Sequence, residues 1–306
     1  MVNIAIIILN WNKSELTLKA AKSIMWQNNI VTKIIIADNG STDCSYDQLK
    51  ILPNVDLLKF NCNYGFAEGN NRAVKYAMSR YNPEYVLLLN NDAELKDNAL
   101  NILFDNCEKA DILSPKIYYG DRKTLWACGG KIDLWRSLAW NIGEGEIDKK
   151  QYETSGSISF ASGCALWISK KVIENIGLFD ESYFCYYEDV DFSMRARMNG
   201  FSILYIPEAV VYHKSGVSSG GNKKAMYRSA FADLLSLRNR IIFTNKYVRN
   251  RIVVICSSLF VSFLLRIMRK QTKRARLILN FMWFGLKGNE KIIIKYPITS
   301  IMAYKD

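Results

Sequence analysis

Four short apolar runs, separated by helix-like stretches and each followed by a polar loop, constrain this chain more than any other feature. They lie at 3–9 (NIAIIIL), 33–37 (KIIIA), 56–60 (DLLKF) and 85–89 (YVLLL). Short β-branched or leucine-rich runs of this kind read as strands buried on both faces. Between them, Ser14 followed by Glu15 caps a helix whose Leu16, Ala20 and Ile24 share a face, and the pattern predicts a second helix over 70–80. Such alternation predicts an α/β fold: a mainly parallel, twisted sheet with right-handed crossovers and helices on both faces. In sheets of that type ligands sit beyond the carboxyl ends of the strands. Those ends are Asn10-Trp11-Asn12, Asp38-Asn39-Gly40-Ser41, the segment 61–71, and Asn90-Asn91-Asp92.

Neither G-x-G-x-x-G nor G-x-x-x-x-G-K-[ST] occurs, so the dinucleotide fingerprint and the Walker-type phosphate loop are both absent from the sequence. Binding at this edge therefore relies on side chains. Asp38 can accept hydrogen bonds from a pyrimidine imide or a ribose. Asp92, beside two asparagines, offers the oxygen ligands that Mg²⁺ or Mn²⁺ requires when it bridges a pyrophosphate. For the DNGS stretch a plain turn is an equal reading, because Asn-Gly is a turn signal by itself.

Seven cysteines, scattered without C-x-x-C or metal-like spacing, point to a reducing compartment rather than a disulfide framework. The opening apolar run lacks a basic leader and is cut short by Asn10, so it reads as a strand, and a cytoplasmic protein is expected. Charge is unevenly spread. Residues 1–213 carry 22 Lys+Arg and 26 Asp+Glu, a net of −4, whereas residues 214–306 carry 19 and 3, a net of +16. A basic tail implies an anionic partner. Its run IVVICSSLFVSFLL at 252–265 is uncharged and bordered by Arg249, Arg251, Arg266, Arg269 and Lys270. That is short for a span of about 20 residues. With RARLILNFMWFGLK following, the pattern fits segments lying on an anionic membrane surface, and no nucleic-acid partner is expected. A basic helical hairpin packed on the main domain is the alternative.

Taken in order, LNWN, ADNGSTD, NYGFAEGNN, LLNNDAEL, GLFDESYFCYYEDVDFSMRARMNGF and YIPEAVVYH resemble the family 2 inverting glycosyltransferases, and more narrowly their bacterial rhamnosyltransferase-like branch. The resemblance covers about residues 3–213. It implies a GT-A fold over 1–215, with a nucleotide-binding half at 1–95 and an acceptor half at 96–215, followed by a basic apolar helical region at 216–306. By the same resemblance Asn10 touches the nucleotide, Asp38 reads the base, and Asn70 lies in the loop and helix start closing over base and ribose. Asn90 and Asp92 take the first and third positions of the family's DxD motif. Asparagine at the first position is a departure that leaves Asp92 as the main anionic ligand. His213, the only histidine, falls where some relatives supply a further metal ligand.

The cluster YYEDVDFSMR puts three carboxylates in four residues, and the resemblance assigns Asp189 as the general base. Neighbouring acids and aromatic cover push an aspartate upward in pKa while a helix start pulls it down, so the sequence leaves the sign open. A helix from near Asp189 to Met198, closed by Asn199-Gly200, turns Asp191 away from Asp189 and toward Arg195. The resemblance thus implies transfer of a sugar, rhamnose favoured, from a nucleotide-sugar donor to a lipid-linked glycan acceptor, with a divalent cation and a peripheral location on the inner face of the cell membrane. A non-catalytic membrane scaffold retaining the fold is the alternative, for which Asn90 is the foothold. A nucleotidyltransferase would carry a glycine-rich basic loop after the first strand, which LNWNKSE is not.

Overall fold

The computed structural model describes residues 3–25, 30–214, 230–298 and 301. The first part follows the expected alternation: β1 (Ile4–Asn10), α1 (Ser14–Met25), β2 (Thr32–Asp38), α2 (Ser45–Leu49), β3 (Val55–Lys59), α3 (Gly65–Tyr81) and β4 (Tyr85–Asn90). The strands lie in the order β3-β2-β1-β4, all parallel. Both faces are covered, which is why β1 shows no polar alternation. Ile4, Ile6 and Ile8 pack with Ala20, Ala21 and Ile24 of α1, while Ala5 and Ile7 pack with Ala73, Val74 and Ala77 of α3. Register aligns the carboxyl ends: Asn10 pairs with Asp38, and Leu9 with Asn90.

Helix α3 starts at Gly65, five residues before the expected 70. Its first turn is completed from far along the chain, since the Phe184 carbonyl accepts from the backbone N–H groups of Phe66 (2.7 Å) and Ala67 (3.0 Å). Those amides have no partner within a helix, so a distant carbonyl lengthens the element in a way no local pattern reveals.

After β4 the sheet becomes mixed. β5 (Ala93–Leu95), α4 (Ala99–Asp105), β6 (Ile112–Tyr119) and β7 (Leu125–Ala127) lead to a two-stranded sheet of β8 (Gly130–Asp133) and β9 (Leu138–Asn141), and then to β10 (Gly156–Ser157). β11 (Ala165–Ser169) inserts antiparallel beside β4, with Ala165 opposite Leu89, and continues into α5 (Lys170–Ile176). This reversal brings residues 163–164, which precede β11, to the carboxyl end of β4. α6 (Glu188–Met198) spans the expected helix and ends before Gly200 (φ 80°). β12 (Ile203–His213) runs parallel to β6 and antiparallel to β5, pairing His213 with Ala93.

The chain divides into two compact units. One comprises Met1–Lys131, Trp140–Phe184 and Glu188–Val217; the other comprises Ile132–Ala139, Cys185–Tyr187 and Ser218–Asp306. The boundary expected at 215/216 lies outside the described residues. Two short pieces of the earlier sequence belong to the second unit, and neither carries a compositional signal. The second unit is built on α7 (Ala230–Tyr247), α8 (Arg251–Met268), α9 (Thr272–Leu286) and α10 (Asn289–Lys295). Asp233, one of three acids among residues 214–306, pairs with Arg266 (2.5 Å) and Arg274 (3.7 Å) and so ties α7 to α8 and α9. α8 packs through Val254, Ile255 and Leu259. It is long and apolar enough to cross a bilayer, yet only 17% of it is buried, leaving Ile252, Val253, Phe260, Val261, Leu264 and Met268 exposed.

Candidate active site

The carboxyl ends of β1 and β2 carry one buried polar network. Asn10 has no exposed surface; its carboxamide accepts from Thr17 Oγ1 (2.6 Å) and donates to Asp38 Oδ1 (2.8 Å) and Ser41 Oγ (3.2 Å). Ser41 donates twice to Asp38, through Oγ (2.5 Å) and its backbone N–H (3.2 Å). A buried carboxylate of this kind is tolerable because it is hydrogen-bonded. Asn10 thus orients Asp38 through a direct hydrogen bond. DNGS forms a turn, and the turn's serine is itself a donor to Asp38. Asn39 continues the network: its carboxamide donates to the Gly65 carbonyl (3.0 Å) and accepts from Tyr64 N–H (3.0 Å), joining β2 to the start of α3. Asn70 is buried on α3, and its carboxamide turns back to the Phe66 carbonyl (2.8 Å).

At the end of β4 the backbone N–H of Asn90 donates to the Cys164 carbonyl (2.8 Å). Two residues on, the Asp92 carbonyl accepts from Lys214 N–H (2.9 Å), because β5 and β12 pair there. That pairing sets His213 Nε2 3.1 Å from Asp92 Oδ1, both side chains being buried. Burial by itself would raise the Asp92 carboxyl, but the hydrogen bond and charge of His213 outweigh it and hold Asp92 below its ordinary value. Burial would lower His213; the Cys164 sulfur and the Asp92 carboxylate reverse this and push the imidazole up to about 10. Trp126 packs edge-on against the His213 ring, with centroids 4.8 Å apart. Among the described residues no third His, Cys, Asp or Glu joins this pair as a possible metal ligand. One carboxylate and one imidazole would suit a divalent cation that displaces the Nε2 proton shared with Asp92 and completes its shell with a diphosphate and water.

Asp189 is the second residue of α6. Its Oδ2 accepts from the backbone N–H of Gly163 (2.9 Å) and its Oδ1 from that of Val190 (2.8 Å). Burial pushes its carboxyl up from the ordinary value, and these backbone donors only partly oppose the shift. The sign left open by the sequence is therefore upward. Glu188 is buried, and its Oε2 has no hydrogen-bond partner among the described residues. Burial, then the charges of Asp189 and Asp191, raise it well above the usual carboxylate range. Asp191 accepts from Tyr183 Oη (3.1 Å) and Arg195 Nε (2.9 Å), the partner one turn on that its spacing suggested. Just before α6, Phe184 (φ 64°, ψ −60°), Tyr186 (φ 72°) and Tyr187 (φ 72°) all sit at positive φ. For aromatic residues this costs roughly 1–3 kcal/mol each and persists only where the surroundings enforce it.

Residues 163–164 join the two halves of the site. Gly163 N–H binds Asp189, the Cys164 carbonyl binds Asn90, and the Cys164 thiol interacts with His213, which holds Asp92. A side chain at position 163 would stand 3.1 Å from the Phe66 ring and 3.7 Å from the Asp189 Cβ, so glycine permits the approach. Sequence reasoning assigned no role to Ser41 or Asn39, inside ADNGSTD, nor to the Cys164 side chain, outside every recognised motif; Ser41 binds Asp38 three residues away, whereas the partners of Asn39 and Cys164 are remote. Trp167 is buried in the core and Trp135 is exposed.

A profile described as "Glycosyltransferase like family 2" matches residues 2–232. The chain is 25% identical over 253 residues to the low-salt glycan biosynthesis hexosyltransferase Agl10 of Haloferax volcanii, covering 79% of this chain and 76% of that protein. It is 26% identical over 208 residues to the N-acetylglucosaminyl-diphospho-decaprenol L-rhamnosyltransferase of Mycobacterium tuberculosis, covering 61% of this chain and 68% of the other. Among solved structures, GalNAc-T7 with UDP, GalNAc and Mn²⁺ superposes with a TM-score of 0.62 at 14% identity. The superposition covers 97% of this chain and 58% of that longer one.

Proposed function

From the premise that the chain belongs to family 2 of the glycosyltransferases, whose members invert the anomeric centre, we propose a specific reaction: transfer of a hexose, rhamnose first among candidates, from a nucleoside diphosphate to a lipid-linked glycan. In this reading Asp38, fixed by Asn10 and Ser41, accepts hydrogen bonds from the base or ribose. Asn39 and Asn70 shape the start of α3 beside it. Asp92 and His213 hold a divalent cation, with Asn90 at the same strand end. When bound, that cation offsets charge on the departing diphosphate.

Asp189 takes the proton of the acceptor hydroxyl. Its raised pKa makes it a better base than an aspartate in water, which titrates near 3.9. The Gly163 N–H keeps one carboxylate oxygen fixed, so the direction of proton transfer is set before the acceptor arrives. Glu188, buried beside Asp189 and Asp191, has its carboxyl held well above the usual carboxylate range. The observation that carries the reading is the link through residues 163–164: Gly163 N–H holds the base, and the Cys164 carbonyl holds Asn90 at the strand end that leads to Asp92.

The reading extends to a peripheral site on the inner face of the cell membrane, where a lipid-linked acceptor resides. The net +16 over residues 214–306 and the exposed apolar surface of α8 support it. Binding to vesicles containing anionic lipid should fall as salt rises, and no binding to such vesicles would remove this part of the proposal.

Thermal melts with a panel of nucleoside diphosphate sugars, with and without Mn²⁺, test the whole. A donor at 100 times its Kd stabilises the folded state by about 2.7 kcal/mol. A melting temperature unmoved by every sugar nucleotide in the panel would refute the assignment.

A further inference from the structure

We propose that Asn239 of α7 is a positioning residue for the transfer, holding the backbone turn that leads into Asp189; this rests on Asp189 being the base. Asn239 stands in the otherwise apolar and basic stretch LLSLRNRIIF and is fully buried. A carboxamide without solvent is kept only where its donors and acceptor are matched. Here they are. Nδ2 donates to the carbonyls of Cys185 and Tyr186, both at 2.8 Å, and Oδ1 accepts from Nη1 of the neighbouring Arg238 at 2.7 Å. Arg238 is itself buried and donates through Nε to the Tyr296 carbonyl at 3.1 Å. The amide orientation is thereby fixed, because the flipped form would set its oxygen against two carbonyl oxygens.

Two successive carbonyls converge on one nitrogen only if the backbone between them is bent out of helical and extended conformations. Tyr186 at φ 72° supplies that bend, with Tyr187 repeating the sign. Phe243, one turn after Asn239 on α7, packs against the Tyr187 ring with centroids 5.8 Å apart, so the same helix face grips the next residue. Upstream the turn is anchored by the Phe184 carbonyl on the N–H groups of Phe66 and Ala67. Downstream the chain passes directly into Glu188 and Asp189, the first two residues of α6. Aromatic residues leave positive φ when the contacts enforcing it are removed. Without the Asn239 donors, residues 185–187 relax toward ordinary angles, and the start of α6 shifts with Asp189 on it. A displacement of about 1 Å at a reacting group lowers turnover by about 10²-fold.

Asn239→Asp tests this in the full chain: it keeps the volume and the acceptor for Arg238 and removes both donated hydrogens. Transfer from dTDP-rhamnose to a synthetic polyprenyl-diphospho-N-acetylglucosamine is measured, with circular dichroism and a thermal melt as controls. The expected result is a kcat lower by about 10²-fold with donor KM within about threefold of the parent. Asn239→Ala gives the same split and serves if the first variant does not accumulate. Unchanged kcat overturns the proposal, and so does a rise in donor KM together with loss of helical signal, which marks a structural role only. Asp189→Asn measured alongside separates the two ideas. If Asp189→Asn turns over normally, the base assignment fails; if it is inactive while both Asn239 variants are fully active, only the positioning role fails.

Discussion

Replacing Asp189 by asparagine separates chemistry from folding, and the structure gives a sign for each. The amide oxygen of asparagine can still accept from Gly163 N–H, but its Nδ2 then faces the Val190 N–H, so the variant loses one backbone hydrogen bond together with the proton acceptor. A general base contributes about 10²–10⁴-fold, so kcat should fall by that factor, equivalent to about 2.7–5.5 kcal/mol of transition-state stabilisation. Stability carries a pH dependence of its own. The folded pKa of Asp189 is raised above its unfolded value, so the folded state binds this proton more tightly than the unfolded chain does. The ionised carboxylate therefore opposes folding: stability falls as pH rises through the raised value, and this cost is absent below the unfolded pKa. The Asp189→Asn variant escapes this pH-dependent cost but forfeits the Val190 hydrogen bond, so its melting temperature should fall relative to the parent's as pH is lowered. For the same reason the acid limb of the parent's kcat profile should lie above the ordinary aspartate value of about 3.9. The assays are initial rates of sugar transfer and melts across pH. A variant with kcat within threefold of the parent, or a melting-temperature difference from the parent that does not change with pH, would refute the reasoning.

Asn10→Ala removes a buried carboxamide and leaves Thr17 and Asp38 short of a partner, so denaturant titration should show a loss of about 1–3 kcal/mol. Donor KM should rise in the same variant, since Asp38 loses a donor that orients it. Gly65→Ala puts a methyl group 2.4 Å from the Phe184 ring at φ 81°, where non-glycine residues are strained. A stability loss of about 1–3 kcal/mol with reduced kcat is expected, read by urea unfolding and initial rates. His213→Ala removes one of the two protein ligands proposed for the cation and should raise the Mn²⁺ needed for half-maximal rate by at least about tenfold, measured by metal titration of the chelated protein. Binding that is unchanged in that titration would exclude His213 as a ligand.

Much of this architecture is written in local patterns. β1, β2 and β4 appear where apolar runs predict them, because strands covered on both faces need no polar alternation, and β3, half-buried at the sheet edge, appears beside the run expected at 56–60. α6 begins and ends where an acidic first turn and Asn199-Gly200 mark it, since caps and glycine act within a few residues. The ordered motifs point to Asp38, Asp92, Asp189 and His213 as a set through the family resemblance they carry together.

What tertiary structure decided is every relation made by partners distant in sequence. The antiparallel insertion of β11 beside β4 has no local signature, yet it brings Gly163 and Cys164 between Asp189 and Asn90. The early start of α3 depends on a carbonyl more than a hundred residues away. Asn239, ordinary in its own stretch, gains its meaning from two carbonyls of a turn that precedes α7 by some fifty residues. The pKa of Asp189 was open for the same reason: burial and backbone donors compete, and their balance is a property of the packed site. Hydrophobic periodicity and capping are near-neighbour effects that a linear chain displays directly. Desolvation and hydrogen bonding across long sequence separations exist only once the chain is closed on itself.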